Sequence, residues 1–177
     1  MRPVIGIIGG KGRMGKLFAD FFSERGLKVL ISDLGTSLTN KQLANLSDIV
    51  IVAVPIEKTV KVIQDVLPHI KKDAAIMDFT SIKETPIKAM LKGNCEVFGM
   101  HPMFGNSNPI PGQTIIITPT KKSGKWSKWM TDFLKENRVS LKTLSPHEHD
   151  RIMNIAQGLI HFAEIVFADS LRRLKMP

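Results

Sequence analysis

The chain has 177 residues, of which 43% are hydrophobic and 23% are charged, and its formal net charge is +9. This length and composition predict a globular protein, with one good core and room to begin a second domain. A membrane partner is not expected, because no apolar run approaches the roughly 20 residues of a membrane span. Nucleic acid is not expected either, since the basic residues are dispersed and the sequence has two tryptophans and no tyrosine for base stacking. The default compartment is the cytoplasm, and the positive charge suits anionic metabolites.

The first predicted strand, residues 4–8, leads into a glycine-rich turn and then a helical pattern over residues 13–25. The turn has the G-x-G-x-x-G pattern of dinucleotide sites. Gly10 is expected to permit the tight turn, Gly12 to let the backbone approach a pyrophosphate, and Gly15 to let the helix pack closely on the strand. The anion is expected on the free N–H groups of the helix.

A second strand, residues 27–32, ends in Asp33, where this kind of fold places a carboxylate that accepts a hydrogen bond from a ribose 2′-hydroxyl. That position favours NAD over NADP. NADP stays open as an alternative, because basic and hydroxyl side chains that could hold a 2′-phosphate are also present. These side chains are Lys11, Arg13, Thr36 and Ser37.

The remaining pattern alternates strands with helices, which indicates a mostly parallel sheet in a Rossmann-like α/β fold. Strands are predicted at 49–54, 74–79, 95–99 and 114–118, and helices at 57–67, 83–92 and 123–136. Pro55 stops the apolar strand 49–54 at its carboxyl end, where ligands gather in such sheets. The residues expected to contact the cofactor are Gly10, Lys11, Gly12, Arg13, Met14, Gly15, Asp33, Val54 and Pro55.

The pattern changes near residue 145, where a long periodic helix over about residues 148–175 is expected. We therefore predict a dinucleotide-binding domain over residues 1–145 and, over residues 146–177, the incomplete start of a helical substrate and dimerisation domain. The helix is apolar over more than one stripe, so it needs a partner. Either a truncated chain or an oligomer would account for this.

Two further motifs follow predicted strands and carry reactive side chains. Ser81 and Lys83 come after the strand 74–79, although helix capping alone could explain Ser81. His101 comes directly after the strand 95–99, and Pro102 restricts its backbone to extended angles. An imidazole at such a sheet edge suits general-base catalysis near neutral pH.

The other titratable side chains are expected to have ordinary structural roles. His147 and His149 are predicted to be loop and cap residues at the start of the long helix, Asp150 is a second candidate cap there, and Cys95 is predicted to be a structural thiol. No metal site is expected, because the H-x-H-D group lies in a predicted loop and has no cysteine beside it.

Taken together, these motifs resemble the prephenate dehydrogenase family of tyrosine biosynthesis over essentially the whole chain. The motifs are Gly10-x-Gly12-x-x-Gly15, Ala53-Val54-Pro55, Asp78-x-Thr80-Ser81-x-Lys83, Gly99-Met100-His101-Pro102-Met103-Phe104-Gly105, and Glu148-His149-Asp150 followed by Gln157 and His161. The resemblance implies a nicotinamide-dependent oxidative decarboxylation of prephenate to 4-hydroxyphenylpyruvate.

By this resemblance, His101 binds the substrate hydroxyl and takes its proton, and Ser81 hydrogen-bonds to His101 or to the same hydroxyl. Lys83 serves as an electrostatic aid near the substrate, and His161 lies near the substrate pocket. The resemblance also implies a homodimer and a longer helical domain that supplies a substrate-binding arginine.

Three alternatives remain open at this point. The substrate could be arogenate. The chain could be an NAD-binding module that is inactive without a helical partner domain. More remotely, the same fold could serve another hydroxyacid or F420-type reductase.

Overall fold

The computed structural model describes residues 2–173, which form a seven-stranded sheet covered by helices on both faces. The strands are β1 Val4–Ile8, β2 Lys28–Ser32, β3 Ile49–Val52, β4 Ala75–Asp78, β5 Glu96–Pro102, β6 Thr114–Pro119 and β7 Ser140–Thr143. The helices are α1 Arg13–Ser23, α2 Asn40–Leu46, α3 Ile56–Val66, α4 Glu84–Met90, α5 Lys125–Glu136 and α6 Pro146–Arg173. A 3₁₀ turn, Leu67–His69, follows α3.

The strand order is β2-β1-β3-β4-β5-β6-β7, and every neighbouring pair is parallel except β5 and β6. From β1 the chain crosses first to β2 on one side and later to β3 on the other. The turn after β1 therefore lies at a topological switch point, where sheets of this type bind ligands beyond the carboxyl ends of their strands. The predicted mostly parallel, Rossmann-like sheet is confirmed.

Each face of the sheet has its own apolar core. Phe18 and Phe22 of α1 pack on one face together with Met130 and Leu134 of α5. The helices α2, α3 and α4 cover the other face, where Ile63 is fully buried. All four residues of β3 are buried because helices cover both of its faces.

Two elements were not predicted from the sequence. The helix α2 is short and buries only Leu43 and Ala44, so its apolar periodicity is weak. The strand β7 lies at the edge of the sheet with mostly exposed side chains, so it lacks an apolar signature.

The strand β5 also extends beyond its predicted end. It continues to Pro102, so His101 lies within the strand and not after it, paired with Ile116 of the antiparallel strand β6.

The helix α6 begins at Pro146, and Ser145 with Glu148 forms reciprocal hydrogen bonds before it. Only His149 and Met153 of this helix are buried among the described residues. The last two residues of the predicted helix lie outside the described residues. Between residues 2 and 173, no helix combines the length and apolarity that a membrane span requires.

Candidate functional site

The turn between β1 and α1 is tight because glycines occupy positions where a side chain would not fit. Gly9 has a φ of +84°, the left-handed conformation that favours glycine. At Gly10, a Cβ would collide with the Ile31 side chain. At Gly15, a Cβ would collide with the backbone of Gly9 and Gly10, so this glycine lets α1 start against the turn.

The amino terminus of α1 is free to receive an anion. Gly12 is its N-cap, and among the described residues neither a capping side chain nor an acid in the first turn satisfies its N–H groups. Lys11 and Arg13 are exposed on either side of Gly12. Unpaired N–H groups, the helix dipole and two cations together favour a phosphate at this position.

Asp33 follows β2 and faces the same turn. Its Oδ2 accepts a hydrogen bond from the Lys11 backbone N–H at 2.8 Å, and its Oδ1 accepts one from the Leu34 N–H at 2.7 Å. A carboxylate has about four acceptor positions, so capacity remains for a ligand hydroxyl.

Two clefts meet at the carboxyl end of β3. The nucleotide cleft, of about 480 Å³, is lined by residues that include Gly9, Lys11, Gly12, Asp33, Asn40, Val54, Pro55 and Lys58. The histidine cleft, of about 290 Å³, is lined by Met14, Ala53, Val54, Ile56, Phe79, Thr80, Ser81, His101, Pro102 and Phe104. Because Ala53 and Val54 line both, the cleft beside Asp33 adjoins the cleft beside His101.

His101 lies 5% exposed at the bottom of the histidine cleft. Its Nδ1 is 2.9 Å from Nε2 of His149, and its Nε2 makes no hydrogen bond within residues 2–173. Burial, with the nearby His149 and Lys83, lowers the pKa of His101 to about 3. The ring is therefore neutral at physiological pH, as a general base must be.

Ser81 lines the same cleft as His101, but no hydrogen bond joins the two side chains in the described structure. Both residues therefore line the same open space without contacting each other through a hydrogen bond.

Lys83 does not reach either cleft, contrary to its expected role beside the substrate. Its side chain is 0% exposed, and its Nζ lies 2.5 Å from Asp78 Oδ2 and 2.9 Å from the Met100 carbonyl oxygen. Burial lowers the pKa of Lys83, and the Asp78 charge opposes that change. Lys83 instead ties the end of β4 to β5 at Met100, the residue before His101.

His149 and Asp150 are not the loop and cap residues of α6 that the sequence suggested. They belong to its first turns, and the His149 side chain is 0% exposed. Asp150 caps a different helix: its carboxylate accepts hydrogen bonds from the backbone N–H groups of Lys83 and Glu84, where α4 begins. This contact docks the start of α6 on α4.

His161 lies on the exposed part of α6, where its side chain is 71% exposed and its Nδ1 is 3.4 Å from Glu164. Twelve residues of helix separate it from His149, about 18 Å along the axis. Within one chain, the structure therefore does not bring His161 to His101. His147 is also exposed and pairs with Glu84 at 2.9 Å.

Two other expectations concern groups outside the clefts. Within the described range, no group of three or more His, Cys, Asp or Glu side chains is placed to hold a metal ion. Cys95 is buried, and burial raises the pKa of its thiol.

The switch-point turn, the open helix end and the carboxylate after β2 define a nucleotide-binding α/β protein. Residues 21–143 match the family model described as prephenate dehydrogenase, nucleotide-binding domain. The chain belongs to the prephenate dehydrogenase family.

Curated relatives support this assignment. A Methanocaldococcus jannaschii protein named "Probable arogenate/prephenate dehydrogenase" is 40% identical over 97% of this chain and 43% of its own length. The T-protein of Enterobacter agglomerans is 32% identical over 94% of this chain and 44% of its own length. The chain thus spans less than half the length of these curated relatives.

Solved structures share the fold at lower identity. Prephenate dehydrogenase from Aquifex aeolicus, in complex with hydroxyphenyl propionate and NAD+, superposes with a TM-score of 0.80 at 21% identity, over 100% of this chain and 71% of that one. Arogenate dehydrogenase from Synechocystis gives a TM-score of 0.73 at 18% identity, over 85% of this chain and 62% of that one.

Proposed function

We propose that this chain carries the cofactor site and the catalytic base of a nicotinamide-dependent prephenate dehydrogenase, which converts prephenate to 4-hydroxyphenylpyruvate and CO₂. The observation that carries the proposal is His101, a buried neutral imidazole that lines a cleft sharing Ala53 and Val54 with the nucleotide cleft. Family membership supports the same reaction.

The glycine turn would hold the cofactor. The pyrophosphate would lie against Gly12 and the first N–H groups of α1, which Gly15 lets start against the backbone of Gly9 and Gly10. Asp33 would accept a hydrogen bond from a ribose hydroxyl, which favours NAD over NADP. When bound, the oxidised nicotinamide supplies a hydride acceptor. Met14, in the histidine cleft, and Val54 would line its binding space.

His101 would take the proton of the substrate hydroxyl as C4 loses its hydride. The C4–O bond gains double-bond character while the bond from C1 to the carboxylate breaks, so CO₂ leaves and the ring becomes aromatic. His101 then returns the proton to the phenolate oxygen, so the reaction releases no net proton. Ser81, on the same cleft, would hold that oxygen during the transfer.

The direct test is nicotinamide reduction by the purified chain, with prephenate and arogenate assayed in parallel and NAD⁺ and NADP⁺ compared for each. His101→Asn is expected to lower kcat by about 10²- to 10⁴-fold, the usual contribution of a general base, and to leave the Kd for NAD⁺ within about twofold. His69→Asn, at an exposed histidine far from the clefts, is the matched control.

Three outcomes of this assay would count against the proposal. Turnover that survives His101→Asn would remove His101 as the base. A folded chain that binds NAD⁺ but oxidises neither substrate would instead be a cofactor module. Turnover of arogenate alone would reassign the substrate.

We further propose that α6 pairs with a second copy of this chain. Its apolar side chains are exposed beyond the docked first turns, at Ile155, Leu159, Ile160, Phe162, Ile165, Val166 and Phe167. A surface of this kind marks an interaction site. The homodimer expected for the family would cover it and would bring His161 of one copy near the other copy.

Sedimentation velocity tests this pairing. Phe162→Lys is expected to shift the chain from dimer toward monomer by placing a charge in the apolar interface. Gln64→Lys, on the exposed side of α3, adds the same charge elsewhere and should leave the distribution unchanged. A wild-type chain that sediments as a monomer at all concentrations would refute the pairing.

A further inference from the structure

Behind His101, two side chains from the first turns of α6 complete a row of three polar groups. His149 Nε2 lies 2.9 Å from His101 Nδ1, and His149 Nδ1 lies 2.7 Å from Asp150 Oδ1. The two rings are 5.0 Å apart and meet nearly edge to face, at 69°. Both imidazoles are buried, so each hydrogen bond determines which ring nitrogen carries a proton.

Asp150 is the fixed end of this row. Its carboxylate already accepts hydrogen bonds from Lys83 N at 2.7 Å and from Glu84 N at 2.9 Å. Partial burial disfavours the charged form, but the hydrogen bonds from Glu84 and the His149 ring outweigh it and lower the pKa of Asp150. An ionised carboxylate only accepts, so Nδ1 of His149 must carry a proton.

The proton on His149 Nδ1 then decides the state of His101. Burial lowers the pKa of His149, so the ring is neutral and its Nε2 holds a lone pair. That lone pair can only accept, so His101 Nδ1 must donate. The lone pair of His101 is thereby placed on Nε2, the nitrogen without a hydrogen bond in the described structure.

Two further charges near the two rings act in opposite directions, since the Asp78 carboxylate raises the pKa of His149. The Lys83 ammonium on the α4 side lowers the pKa of both His101 and His149. The Asp78 carboxylate at the end of β4 is paired with that ammonium. Neither of these groups hydrogen-bonds to a ring nitrogen, so they do not select a tautomer.

We propose that His149 and Asp150 are positioning residues that hold His101 in its Nδ1–H tautomer and so direct the basic Nε2 into the histidine cleft. The catalytic part of this inference rests on the proposed function, in which Nε2 of His101 receives the hydroxyl proton. When it does, His101 becomes an imidazolium whose Nδ1–H still donates to His149, and the Asp150 charge stabilises it through that ring. A buried carboxylate that orients an imidazole acts in the same way in hydrolytic triads.

The tautomer can be read without turnover by two-bond ¹H–¹⁵N correlation spectra of the full chain labelled with ¹⁵N-histidine. The five histidines are assigned by single histidine-to-glutamine variants. At pH 7 we expect His101 protonated on Nδ1 and unprotonated on Nε2, and the same pattern for His149. A protonated Nε2 on wild-type His101 would overturn the proposal directly.

Two substitutions at residue 149 separate positioning from simple packing. His149→Leu removes the acceptor, so His101 is expected to shift toward the Nε2–H tautomer. His149→Gln leaves an amide oxygen near the former Nε2 and is expected to restore the Nδ1–H tautomer. His147→Gln, at the exposed neighbour, should change nothing. If His101 keeps its Nδ1–H tautomer in a folded His149→Leu chain, His149 does not position it.

Kinetics add a second readout where the chain turns over substrate. His149→Leu is expected to lower kcat at least about tenfold, which is part of the 10²- to 10⁴-fold contribution of a general base. KM should change little, and His149→Gln should recover part of the lost kcat. A chain with the expected tautomer but no oxidation of either substrate would defeat the proposed function and leave the tautomer assignment standing. An active enzyme in which His101 has the Nε2–H tautomer would defeat the tautomer assignment and leave the proposed function standing.

Discussion

The glycine turn and the histidine cluster, defined as His101, His149 and Asp150, lie at the same edge of the sheet but are held in different ways. The turn is formed by neighbouring backbone, with hydrogen bonds from Gly9 N and Gly10 N to the Ser32 carbonyl oxygen. The cluster joins side chains 48 residues apart and depends on α6 lying against α4. The cofactor end is therefore a local product of β1, α1 and β2, whereas the chemical end needs a docked distant helix.

Gly15→Ala should disrupt the cofactor end most strongly. Overpacking costs about 1–3 kcal/mol when surroundings can adjust, and here the Cβ would meet backbone of the turn. We expect the Kd for NAD⁺ to rise about a hundredfold, measured by calorimetry, while the His101 tautomer stays unchanged. Gly158→Ala is the matched control, since within the described chain a Cβ there meets nothing within 4 Å. Wild-type affinity in Gly15→Ala would contradict the tight fit of α1 on the turn.

Asp33→Ser tests the other half of the cofactor end. Removing a hydrogen bond to a charged group costs about 1.5–3 kcal/mol, so we expect NAD⁺ to bind about 10- to 100-fold more weakly. Affinity for NADP⁺ should fall less, because a 2′-phosphate no longer meets a carboxylate. Asp132→Ser, at an exposed carboxylate on α5, removes the same charge without touching the cleft. Equal losses for the two cofactors would argue against a contact between Asp33 and the ribose.

The smallest expected effect is the loss of folding stability that the histidine cluster causes as the pH falls. His101 stays neutral in the folded chain, with its pKa lowered to about 3, whereas an unfolded histidine takes a proton near pH 6.5. The unfolded state thus binds more protons as the pH falls from about 6.5, and the folded chain loses stability. Each such histidine contributes a slope of up to about 1.4 kcal/mol per pH unit.

Urea unfolding between pH 7 and pH 5 measures this slope while most carboxylates stay charged. His101→Asn should flatten it, and His69→Gln, at the exposed 3₁₀ turn, is the matched control. An unchanged slope in His101→Asn would mean that this ring is charged in the folded state.

Sequence reasoning recovered the parts of the fold and site that depend on near neighbours. The strand, glycine turn and helix at the amino terminus, and Asp33 at the end of the next strand, follow from spacing alone. The tight turn was assigned to Gly10, and the structure uses both neighbouring glycines: Gly9 has the left-handed conformation, and a Cβ at Gly10 would collide with Ile31. The helix α2 also had a usable signal, since Thr39 and Gln42 form a capping box.

The parts that sequence reasoning missed depend on distant contacts. Lys83 was expected to face the substrate, as an isolated lysine would, but Asp78 lets its charge be buried. His149 and Asp150 looked like cap residues because their partners, His101 and the start of α4, lie far away in the chain. Spacing along one segment carries no information about such partners.

Asp150 binds both the start of α4 and the His149 ring, so hydrogen exchange at α4 can report on the histidine cluster. The same carboxylate holds the backbone amides of Lys83 and Glu84 and the His149 ring. If α6 lifts from α4, those two amide protons become open to solvent at the moment the base loses its orientation. The hydrogen-exchange rates of these two amides therefore report how often α6 lifts from α4 and the site is disrupted.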